Sequence, residues 1–239
     1  MSSNIRLQVA LAQLGFAARR TAAVIIKAGR VKVNGQIIFA PGHRVNLDRD
    51  KLTVDEKSRS VPKKAYFILN KPKQVICTVK DRHAERSVLD LIKNKPARIY
   101  PVGRLDKDTT GLLLLTNDGD LAYRLTHPKF AVPKVYRVVI AGKIEAEQIK
   151  QLEAGILLEG KKTYPCKIRI LAYRAQVTKL EICLNEGRKR QIKKMFAAVG
   201  HTVSNINRIS FGPLKLGQLS LGCCRELTAQ ELRQLKKLG

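Results

Sequence analysis

Along the first sixty residues the apolar positions gather first in short helical stretches and then in strand-like groups. Ile5, Val9, Leu11, Ala12 and Leu14 fall on roughly one helical face, and Gly15 ends the run. A second helix is predicted from Thr21 to Ala28, opened by Arg19 and Arg20 and stopped by Gly29. Val31–Val33 and Ile37–Phe39 then flank Asn34 and Gly35, a residue pair that tight hairpin turns prefer because both central positions take positive φ. Lys51 to Asp55 closes this unit, which spans residues 1–58, and residues 59–64, with Ser60 and Pro62, read as a linker. From residue 65 to 239 the pattern changes. Strands are predicted at Tyr66–Leu69, halted by Asn70, Lys71 and Pro72, and at Leu112–Thr116, Val135–Ile140 and Val177–Leu184. Helices are predicted at Glu145–Ala154, Arg190–Val199 and Ala229–Leu238. The last follows Thr228 with Glu231 three residues on, the spacing of a capping box. The strands arrive in runs without regular helical crossovers. The expected class is therefore α+β: a small N-terminal module, then a domain with a mixed, largely antiparallel sheet flanked by helices.

Charge narrows what such a chain does. Of 239 residues 46 are Lys or Arg and 19 are Asp or Glu, a formal charge of +27. Internal ion pairs cannot cancel that excess, so a polyanionic partner is expected, nucleic acid before anionic membrane, since no basic amphipathic anchor stands out. No apolar run reaches the roughly 20 residues that span a bilayer, and the N-terminus lacks a secretory stretch. A cytoplasmic protein is expected. The five cysteines form no C-x-x-C pair and the histidines are scattered singly, so neither a disulfide framework nor a metal site is expected.

The stretch from Tyr100 to Gly119, YPVGRLDKDTTGLLLLTNDG, is a charged, glycine-bounded loop running straight into an apolar strand. Loops held by rigid strands are where reactive groups sit, and Arg104 and Lys107 beside Asp106 favour its ionised form. On residue pattern alone, Asp106 and Asp108 serve equally well as turn-capping carboxylates. Pro133 to Val138 alternates so that Lys134 and Tyr136 share one face of a strand, where Tyr136 reads as a core tyrosine or as a ring available for stacking. Glu186 to Phe196, EGRKRQIKKMF, is a glycine turn feeding a basic helix, suited at the least to gripping phosphate through Arg188, Lys189 and Arg190.

Two resemblances meet on these residues. Arg6-Leu7, Leu11, Gly15, Ala18-Arg19-Arg20 and the run from Ile26 through Gly29 to Asn34-Gly35 resemble the S4 RNA-binding domain, with Ala18 where that family often has a capping serine. Gly103-Arg104-Leu105-Asp106, Thr110-Gly111 and the strand beyond resemble the central motif of the pseudouridine synthases, and the K-x-Y strand and the EGRKRQIKKM block are similar to the branch that modifies ribosomal RNA with an S4 domain attached. The resemblance implies uridine isomerisation without a cofactor or metal, by a monomer acting on ribosomal RNA, 23S before 16S. It implies Asp106 as the catalytic carboxylate, Tyr136 as the stacking and proton-moving ring, and Lys193 as the cation paired with Asp106. Arg6, Arg19, Arg20, Lys32, Arg104, Lys134, Arg188, Arg190 and Gln191 are the expected RNA contacts. Two rivals remain at this stage. One is a non-catalytic ribosome-assembly protein using the N-terminal module alone. The other is a hydrolase or nuclease, whose metal-binding carboxylate cluster is not evident.

Overall fold

The computed structural model describes residues 4–78, 86–93 and 98–238, which leaves His83 outside. They form two compact units. One runs up to Lys64 and takes in residues 117–119; the other holds most of the chain from Ala65 onward.

The first unit packs two helices, α1 (Leu7–Gln13) and α2 (Arg19–Lys27), against a small sheet of β1 (Val31–Val33), β2 (Gln36–Ile37) and β3 (Leu52–Val54), in the order β2-β1-β3. Asn34 and Gly35 both take positive φ, 50° and 85°, as the hairpin turn requires. Leu7, Leu11, Ala22, Ile26 and Val31 are fully buried between helices and sheet. Ile5 and Arg6, expected in the first helix, instead pair with Arg44 and Val45 as a short strand, and the Leu7 N–H donates to His43 O at 2.7 Å. Ala18 caps α2 with no side-chain hydrogen bond, as a methyl group must.

The second unit is built on a nine-stranded sheet. Its path runs β7 (Lys167–Arg174), β8 (Val177–Leu184), β6 (Lys134–Ala141), β9 (Val203–Phe211), β5 (Thr110–Thr116), β4 (Tyr66–Lys71) and β10 (Cys224–Glu226), with Tyr100–Pro101 and Leu214–Lys215 as short additions. Every pairing is antiparallel except β5 with β9, where Asn207 faces Thr110 and Arg208 faces Gly111. The apolar runs of β4 and β5 are continuous because both faces are covered. On one face Phe67, Leu69, Leu113 and Leu115 meet α5 (Gln191–Ala198) and α4 (Ala146–Ala154), through Met195, Phe196 and Leu152. On the other, Ile68, Leu112 and Leu114 meet α3 (Gly119–Thr126) and α6 (Ala229–Lys236), through Leu121, Leu125 and Leu235. β4 does not stop at Asn70; it continues through Lys71, because the ammonium finds carbonyl partners inside the protein.

The capping box at α6 forms as predicted: Thr228 Oγ1 accepts from Glu231 N, and Glu231 Oε2 accepts from Thr228 N. Arg225 adds two hydrogen bonds to the same carboxylate, at 2.7 and 2.8 Å, and these chiefly bring the Glu231 carboxyl down from 4.5 to about 2. The folded value lies below the unfolded one, so this contribution to stability is complete above the ordinary glutamate range and is lost as pH falls from there toward 2. Glu231→Gln should flatten the fall of Tm between about pH 5 and 2. Identical acid slopes for the two proteins would refute this.

Candidate active site

One cavity of about 310 Å³ lies within the second unit. Its walls come from the loop 102–109 ahead of β5, the start of β6, the end of β8 with the loop leading to α5, the inner residues of β9, and the turn at Thr126–Pro128 after α3. Val102, Leu105, Val132, Leu184, Ile206 and Phe211 supply apolar lining, while Asp106, Tyr136, Lys134 and Arg208 bring polar groups into it.

The loop that carries Asp106 is fixed from below. Lys71 is fully buried, and its Nζ donates to the carbonyls of Pro72 and Thr109, each at 2.9 Å, and of Lys107 at 3.4 Å. Burial pulls the Lys71 pKa down, while nearby Cys77, Asp108 and Asp106 pull it up. Gln74 N donates to Lys107 O, Leu105 N donates to Cys77 Sγ, and Thr109 N closes the turn on Asp106 O at 3.1 Å. The backbone of the loop is thus held on both sides, while no described side chain donates to the Asp106 carboxylate.

Tyr136 is buried on β6, between Ile182 on β8 and Arg208 on β9. Directly opposed residues on neighbouring strands put their Cβ atoms about 5 Å apart. Lys134 lies two residues earlier, opposite Leu184 and Phe211.

Lys193 does not pair with Asp106. It forms an ion pair with Asp108, two residues on, and does not line the cavity. It sits in the first turn of α5, within reach of the far end of the loop but not of its middle. The Lys193 ammonium holds the Asp108 carboxyl below the ordinary carboxylate range, by its hydrogen bond first, with partial burial opposing.

The expected RNA contacts divide. Arg104 and Arg190 line the cavity with exposed side chains, Arg190 at positive φ just ahead of α5. Arg188 and Gln191 line it too, but their polar groups are engaged. Arg188 donates to Glu186 and to the carbonyls of Lys161 and Lys162; Gln191, 4% exposed, donates to Glu186 and accepts from Arg188 N. Both knit the loop together instead of presenting themselves to a phosphate. Lys134 points its ammonium inward, where Nζ donates to Val132 O at 2.7 Å; burial first, and the Arg208 charge second, lower its pKa to about 8. In the first unit Arg6, Arg19 and Arg20 are exposed, whereas Lys32 is tied to Glu56 at 2.6 Å.

Sequence reading missed Lys71 and Arg208. An arginine in a strand reads as surface. The signal that would have found it is alternation, since Ile206 and Arg208 share a face and Ile206 is apolar. Arg208 is only 2% exposed; its Nε donates to Leu112 O at 2.7 Å, its guanidinium stands 5.0 Å from the Phe211 ring, and its Nη2 is buried with no hydrogen-bond partner among the described residues. Leaving such a donor unmet costs about 1–3 kcal/mol.

Residues 65–198 match the model of the RNA pseudouridylate synthases, and residues 5–50 match that of the S4 domain. An RNA pseudouridine synthase of Aquifex aeolicus (strain VF5) is 43% identical over 98% of this chain and 94% of its own. The ribosomal large subunit pseudouridine synthase B of Bacillus subtilis (strain 168) is 41% identical, over 98% and 96%. A crystal structure of a pseudouridylate synthase superposes with a TM-score of 0.71 at 31% identity, covering 97% of this chain and 99% of that one. The chain belongs to the RNA pseudouridine synthases, isomerases of uridine, and carries an S4 domain ahead of its synthase domain.

Proposed function

We propose that the protein isomerises a uridine in 23S ribosomal RNA, acting as a monomer in the cytoplasm. The observation that carries this reading is the cavity of nucleoside size to which Asp106 and Tyr136 both contribute. The large-subunit name of the Bacillus subtilis relative supports 23S over 16S RNA.

The reaction breaks the bond between ribose C1′ and uracil N1, turns the base and rejoins it through C5. The uridine must first leave its stack, which costs a few kcal/mol; contacts from Arg104, Arg190 and the S4 arginines Arg6, Arg19 and Arg20 to phosphate offset that cost. Asp106 then acts on the sugar, by adding to C1′ or by taking the C2′ proton; either route needs it ionised and held still. Tyr136 stacks on the base, and its hydroxyl relays the C5 proton. Lys193 works through Asp108 as a positioning residue for the loop, and Lys71 does the same from beneath it.

The test is tritium release from ribosomal RNA transcripts carrying C5-labelled uridine, together with mapping of pseudouridines in cells with and without the gene. Release of label and loss of one 23S site are expected. Free uracil or cut strands would instead show a hydrolase, RNA binding without release would show an assembly factor, and loss of a 16S site would move the substrate to the small subunit.

A further inference from the structure

Two cations, Arg208 and Lys134, line the cavity, and neither forms an ion pair among the described residues. Arg208 and Lys134 stand on adjacent strands and flank one phenyl ring: the Arg208 guanidinium is 5.0 Å from the centroid of Phe211, the Lys134 ammonium 5.6 Å. Both line the cavity that Asp106 enters, and Tyr136 lies directly across from Arg208. Setting a half-buried ammonium beside a buried guanidinium is unfavourable, and burying a guanidinium with an unmet N–H is more so. A structure keeps such an arrangement where a bound group supplies the missing acceptor and charge. Arg208 is 2% exposed and its Nη2 is buried with no hydrogen-bond partner among the described residues, whereas Arg104 and Arg190 line the same cavity with exposed side chains. The part of an extruded nucleoside that enters such a cavity is its base, whose polar atoms are its O2 and O4 carbonyls and N3–H.

We propose that Arg208 and Lys134 form the seat of the uracil ring and carry the negative charge the ring acquires when it parts from the ribose. This rests on the synthase reading above. As the C1′–N1 bond breaks, both its electrons leave with the base, giving a uracil monoanion whose charge spreads over N1, O2 and O4. The electron deficiency at C1′ is met by the Asp106 carboxylate, or by loss of the C2′ proton to it. The base anion then turns and bonds through C5, the sugar regains its original state, and the C5 proton transfers to N1. Both routes pass through the same detached anion, so a preorganised cation pair assists either one. The pair also explains why the base stays bound while it turns: as an anion it is held by charge in a water-poor pocket, with Tyr136 on its face.

Single-turnover conversion of uridine and of 5-fluorouridine in the same RNA tests this. Fluorine at C5 stabilises the uracil anion by itself, so it replaces part of what the cations do. Arg208→Gln and Lys134→Met are each compared with the intact protein, with circular dichroism as the check on folding and filter binding as the check on RNA affinity. Lys134→Met covers the case in which the buried Arg208 variant fails to fold, and Lys134→Arg is its charge-preserving control. We expect uridine conversion to fall by about 100-fold with RNA affinity unchanged. Consumption of 5-fluorouridine should fall at least tenfold less, and Lys134→Arg should recover most of the rate. Equal slowing of the two nucleosides would overturn the proposal and leave a structural role. A loss of affinity without a loss of single-turnover rate would make the residues phosphate contacts instead. If the intact protein converted no uridine, the synthase reading itself would fail, a result separate from either.

Discussion

Asp106→Asn should lower uridine conversion by about four orders of magnitude or more while RNA affinity stays near that of the intact protein. The substitution keeps the size of the side chain and removes its charge. The loop does not lean on that carboxylate. It is held through backbone groups, by Lys71 on the Pro72, Lys107 and Thr109 carbonyls and by the Thr109 N–H on Asp106 O. The variant should therefore fold and melt like the parent, and the defect should lie in the chemical step. Single-turnover tritium release beside filter binding measures the two separately. An asparagine variant that releases label at the parental rate would remove Asp106 from the mechanism.

Gly111→Ala should destabilise the protein by about 3 kcal/mol or more, enough to threaten folding in a domain of ordinary stability. Gly111 is the second residue of β5 and takes φ 109°, a conformation an L side chain rarely takes. It also lies where β5 and β9 run parallel at close quarters. A Cβ there would come within 2.6 Å of Arg208 N, and nearer still to Arg208 O and Asn207 Oδ1. Those are mainly backbone atoms of the neighbouring strand, which cannot swing aside without opening the sheet beside the cavity. Gly187→Ala is the control, since nothing lies within 4 Å of its added Cβ and its φ is not positive. Urea midpoints of the two variants should differ widely. Equal midpoints would show that the strand gap closes more easily than this geometry allows.

Elements marked by local rules were legible in the chain. Asn34-Gly35 announced its hairpin, Thr228 and Glu231 their capping box, and the apolar run after Gly111 a central strand. The loop of Asp106 and the strand of Tyr136 stood out by motif, and both line the same cavity. What escaped depends on partners distant along the chain. Lys71 read as the end of a strand because a lysine belongs in water, unless three carbonyls replace that water. β7, Lys167–Arg174, opens with the alternation Lys167-Ile168-Arg169-Ile170 of an edge strand with one solvated face, but the run is too short to stand out. Lys193 was matched to Asp106 by motif, yet the register of α5 against the loop decided for Asp108. Arg208 escaped for the same reason: its burial comes from three strands meeting around it.

The parallel seam between β5 and β9 has a consequence for synthesis. Arg208 reaches Leu112 O across a sequence separation of 96, and a contact so remote in sequence is made only after a long loop has closed. While the nascent chain is still being elongated, loop 102–109 can be outside the ribosome with no β9 to complete the wall beside it. The cavity is therefore completed late, only once β9 has emerged, whereas the local contacts of the S4 domain let that domain fold well beforehand.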